Sequence, residues 1–110
     1  MDGRDELLSI TFRRDEAEAL AAVANIGLAA EVGLARITAP STAERGLAEL
    51  ARAIDRRGAT LTATMAWIEA DILAHVAESG LAIIVRLPAF AEPVDLAHAR
   101  AGLKALRAAL

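Results

Sequence analysis

The chain has 110 residues, enough for one domain around one core. Hydrophobic residues make up 55% of it but aromatics only 3%, which excludes disorder over most of its length. A net charge of −3, with Lys104 the only lysine, excludes a basic footprint for nucleic acid, and the lack of cysteine excludes disulfides, thiolate zinc sites and cysteine nucleophiles.

The apolar share is mostly Ala and Leu, the residues that cost a helix least. The N-terminus is acidic and has no apolar run of signal-peptide type. No stretch is long and apolar enough to span a membrane, and residues 19–30 are uncharged but too short. The expectation is a soluble cytoplasmic protein that binds neither membrane nor nucleic acid.

Residues 6–12 are ambiguous. Leu8, Ile10 and Phe12 alternate with Ser9 and Thr11 as in a strand, while Leu8 and Phe12 also lie one helical turn apart. Residues 15–26 read as a helix, with Asp15 and Glu18 at capping-box spacing and Leu20 and Val23 on an apolar stripe. Residues 28–37 continue as a second helical segment through Gly33. Pro40 forces a break, and Ser41 with Glu44 has the spacing of a capping box for the next helix, residues 42–57, closed by Gly58.

Residues 60–80 read as the central helix. Leu61, Met65, Ile68, Ile72 and Val76 recur at steps of three and four, and Gly80 stands where a C-terminal cap would. In residues 81–90, Ile83, Ile84 and Val85 form a strand candidate or a short buried helix. Pro93 suits the first turn of a last helix striped by Leu96, Ala99, Leu103, Leu106 and Leu110.

An internal repeat is the broader pattern. VANIGLA from Val23 recurs as VAESGLA from Val76, and the same register matches Leu8 with Leu61, Thr11 with Thr64, and Pro40 with Pro93. The repeats would span residues 6–57 and 60–110 of a single domain. The matching favours helix over strand at residues 8–12. Small residues at Ala22, Ala29 and Gly33 suggest a tight helix seam, inside the fold by default or else between protomers.

Trp67, Asp71, His75 and Glu78 cluster on one flank of the central helix. Asp71 and His75, one turn apart, could orient an imidazole for acid–base work. The same spacing serves an ordinary half-buried His satisfied by a carboxylate, and that reading is preferred. A metal site from Asp71, His75 and His98 lacks ligands, and Arg13-Arg14 and Arg56-Arg57 are flanked by acids. No glycine pattern marks a nucleotide site, and no cofactor is expected.

The expected fold is all-α: a compact bundle of five or six helical segments in two similar halves. The alternative is α+β, with short strands at residues 8–12 and 82–87. The expected function is a small non-enzymatic protein-interaction or assembly module, a homodimer in its simplest form, using Trp67, Asp71, His75 and Glu78. The alternative is a small-ligand-binding protein or enzyme with a pocket near Trp67, Asp71 and His75.

Overall fold

The computed structural model describes residues 6–37, 39–87 and 95–110. Strand β1 (Leu7–Arg13) leads into helix α1 (Arg14–Gly33), followed by α2 (Pro40–Ile54), strand β2 (Thr60–Ala66), α3 (Trp67–Arg86) and α4 (Leu96–Ala109). The fold is α+β: four helices and a two-stranded antiparallel sheet among the described residues. This corrects the expectation of five or six helical segments. The order strand, helix, helix occurs twice.

Both strands form where apolar residues alternate with hydroxyl residues. Ile10, Phe12, Leu61, Ala63 and Met65 point into the core, while Ser9, Thr11, Thr62 and Thr64 face out. The register pairs Leu7 with Ala66 and runs to Arg13 with Thr60, centred on Ile10 opposite Ala63. Ile10 and Ala63 have the same separation in sequence as Val23 and Val76. The ladder extends a row at each end, through Trp67 N–H to the Glu6 carbonyl and Arg14 N–H to the Ala59 carbonyl, both 2.9 Å. Those rows are hydrogen-bonded pairs, so Ser9–Thr64 and Thr11–Thr62 are the closer, non-hydrogen-bonded pairs. Their hydroxyls lie 3.5 and 3.2 Å apart.

The central helix therefore begins at Trp67, not at Thr60. Alternation wins over residues 60–66 because β1 supplies a partner for every backbone group facing it. Helix α3 then runs on to Arg86 and takes in most of the proposed strand at 82–87. Of its β-branched run only Ile84 is buried, and Val85 is exposed. Likewise α1 is one continuous helix, in place of two segments.

Helices α1 and α3 have 20 residues each, about 30 Å at 1.5 Å per residue. They cross at Gly27 and Gly80. A Cβ on Gly27 would stand 1.7 Å from the Val76 carbonyl oxygen, and one on Gly80 1.8 Å from that of Val23. Gly80 thus lies inside α3 as a contact point and does not end it. Ala22 is half-buried and Ala29 and Gly33 are exposed, so the seam expected there lies at Gly27 instead. The buried face of α3 is Ala70, Leu73, Ala74, Val76, Ala77, Gly80 and Ile84. Ile68 and Ile72 are only half-buried, a correction to the stripe read from spacing. Two helices that meet backbone to backbone at glycines leave little room for large side chains at the crossing.

Pro40 opens α2 with Ala39 as its N-cap, and no side chain caps it, so the Ser41–Glu44 box is not formed. Gly58 turns the chain after α2 with φ +127°. Asp95 caps α4 by accepting the His98 N–H at 3.0 Å. Pro93 and the rest of the 88–94 connector lie outside the described residues.

Candidate interaction site

The flank picked out by sequence sits on the outer side of α3. Trp67 and Asp71 are half-buried, and His75 and Glu78 are exposed. Their spacing along one helix places Asp71 and His75 one turn apart on the same side. No hydrogen bond joins that pair, so the oriented imidazole considered from spacing is not formed in this structure.

Asp71, Ile72 and His75 form one wall of an open groove of about 360 Å³. Arg36 and Ile37, from the segment after α1, and Arg107 of α4 complete it. Trp67 stands one turn before Asp71 and does not line it. Glu78 reaches the groove indirectly, accepting from Arg107 Nε at 2.9 Å.

The end of α1 explains how Arg36 arrives there. Arg36 N–H donates to the Glu31 carbonyl at 2.9 Å, and Ala35 N–H to that of Val32 at 3.0 Å. These bonds make a Schellman motif, with Ala35 in the left-handed region at φ 54° where glycine is usual. The chain doubles back, and Arg36 Nη2 comes 3.4 Å from the carboxylate of Glu31. Glu31 is 4% exposed, and its Oε1 also accepts the Ser79 hydroxyl at 2.6 Å. This buried carboxylate fixes the groove rim to α3. Beside it Val32 and Leu34 are exposed at 49% and 62%.

Glu18, Ala19 and Ala22 of α1 stand at the same separation from Asp71, Ile72 and His75 as Val23 does from Val76. They line a smaller depression of about 230 Å³, together with Asp15, Asp95 and His98. His98 Nε2 lies 3.4 Å from Asp15 and its Nδ1 3.2 Å from Asp95. His98 is therefore held between carboxylates and not solvated alone. It shares no groove with Asp71 and His75, and no described group of three His, Cys, Asp or Glu side chains could hold a metal ion.

Of the arginine pairs, Arg14 is turned inward. Its Nε donates to the Gly58 carbonyl at 2.7 Å, Nη1 to that of Ile54 at 2.5 Å, and Nη2 to that of Arg56. Arg13 pairs with Asp15 at 3.4 Å. No described helix is long and apolar enough to cross a membrane.

Spacing alone found Asp71 and His75 because they share a helix. Arg36, Ile37 and Arg107 come from elements far apart in sequence, and nothing local marks them.

No family model, curated protein or solved structure matches this chain.

Proposed function

We propose that the chain is a small non-enzymatic assembly module that associates with a second copy of itself through the α3 flank. The observation that carries this reading is the convergence of three elements on one open groove of mixed charge. Arg36 and Arg107 line it with Asp71 and His75, over Ile37 and Ile72. Groups of both signs on one face are self-complementary about a two-fold axis, where each copy's arginine meets the other's carboxylate. Val32 and Leu34, close in the chain to Arg36, are exposed, and Trp67, one turn before Asp71, is half-buried, so each has apolar area to offer a second copy. The left-handed Ala35 aims this rim, and strained non-glycine residues gather at functional positions.

The test is the solution mass of wild type against Trp67→Ala and Arg107→Glu. Association that both substitutions weaken supports the reading; association indifferent to both places the interface elsewhere.

A second reading is a small-ligand site in the same groove, where Arg36, Arg107 and His75 line one opening and could meet an anionic group. Thermal stabilisation by small carboxylates or phosphates that Arg107→Glu abolishes would favour it.

The same proposal includes an origin by duplication of a strand–helix–helix unit. It is supported by the doubled element order and by the common separation linking Val23 with Val76, Ile10 with Ala63, and Gly27 with Gly80.

A further inference from the structure

Most packing in this fold joins the first half of the chain to the second, not either half to itself. Strand β1 pairs with β2, and α1 crosses α3 at Gly27 and Gly80. Helix α2 rests on α3, where a Cβ on Gly46 would be 3.0 Å from the Glu69 carbonyl oxygen. Helix α4 rests on α1, where one on Gly102 would be 2.6 Å from that of Glu16. A half that buries so little alone needs another half, and any copy of the chain can supply it.

Only residues 55–59 connect the halves. Arg14, at the start of α1, grips this connector from the first half. Its guanidinium donates to the carbonyls of Ile54, Arg56 and Gly58, and its own N–H donates to that of Ala59. Four carbonyls along one short stretch converge on a single residue. The Ala59 bond is an end row of the β1–β2 ladder, whereas the Arg56 and Gly58 carbonyls meet the guanidinium beside Ile54 only while the connector is folded back, a shape that Gly58 supplies with φ +127°.

We propose that two copies of this chain exchange their second halves. The β2–α3–α4 unit of one copy packs on the β1–α1–α2 unit of the other, and Arg14 is the clamp that favours the closed single chain. The closed and exchanged forms bury the same surfaces and differ in the connector alone. Their balance is therefore set by chain concentration and by what holds the connector. The inference goes beyond the flank association proposed above, because exchanged copies share the β1–β2, α1–α3, α2–α3 and α1–α4 contacts and not the α3 groove.

The chain has no cysteine, so introduced thiols report strand pairing cleanly. Thr11 and Thr62 face each other in a non-hydrogen-bonded pair, whose Cα separation of about 4.5 Å suits a disulfide. Thr11→Cys and Thr62→Cys are made in separate chains. In closed chains each thiol faces a threonine of its own chain. The two variants are unfolded, mixed at high concentration, refolded together and oxidised. Exchange predicts a covalent dimer of unlike chains, several-fold above the like-with-like dimers from either variant alone. Adding Arg14→Ala to both chains raises that yield several-fold; Arg14→Lys, too narrow to span the carbonyls, replaces it if Arg14→Ala does not fold. Unlike dimers no more abundant than like ones overturn the exchange. A doubled mass without unlike dimers overturns the exchange but leaves self-association standing, whereas a single-chain mass throughout removes both. Equal yields with and without the Arg14 substitution overturn the clamp.

Discussion

At Gly27 and Gly80 the backbones of α1 and α3 are closer than a methyl group allows, with 1.7 and 1.8 Å from an added Cβ to the facing carbonyl oxygens. Alanine is the better helix former by about 1 kcal/mol, but backbone cannot move aside as a flexible side chain would. Gly27→Ala or Gly80→Ala is therefore expected to cost about 3 kcal/mol in urea unfolding. Gly33, in the last turn of α1, has open space where a methyl group would stand, with nothing within 4 Å, so Gly33→Ala should gain up to about 1 kcal/mol. Two residues on, Ala35 carries the left-handed turn that a glycine would take without steric cost. Ala35→Gly should stabilise the protein by about 1 kcal/mol.

Helix α3 separates two readings of its faces. Leu73 is fully buried, whereas Ile72 is half-buried at the groove. Leu73→Ala is expected to cost about 2–5 kcal/mol, and Ile72→Ala about 1 kcal/mol. Equal costs in thermal or urea unfolding would contradict this orientation. The β1 alternation is present in the sequence, but Leu8 and Phe12 also lie one helical turn apart, so the strand there belongs to the alternative α+β expectation. The β2 alternation is equally present, but Leu61 and Met65 also extend the helical spacing of Ile68, Ile72 and Val76. Ala63, the inward residue between them, is too small to mark a face. The repeat matches residues 8–12 with residues 61–65, which on spacing alone favours helix for both; the two segments instead pair with each other as strands. The buried stripe of α3 is mostly alanine and glycine, residues whose burial hydropathy hardly signals, so the larger Ile68 and Ile72 pull the expected core off phase. The run Ile83-Ile84-Val85 resembles a strand because β-branched residues fit one, yet nothing in the sheet pairs with it. In the candidate site, Asp71 and His75 are visible through helical spacing. Nothing in the sequence singles out Arg36 or Arg107, and only the fold brings them to the same groove.

For the whole molecule, the tertiary design is one in which each half completes the other, with an open groove of mixed charge left on α3. The residue that holds the connector, Arg14, stands at the same separation from Trp67 as Val23 does from Val76. The matching positions thus differ in role, one holding the chain closed and the other lying on the flank assigned to association. Pairing through groups of both signs should weaken as salt screens them. Self-association through that flank is read from light scattering across a dilution series. Wild type is expected to show twice the single-chain mass of 11.5 kDa at high concentration and to fall toward it on dilution. Trp67→Ala and Arg107→Glu should shift that fall to higher concentration. A wild-type mass of one chain at every concentration would rule self-association out.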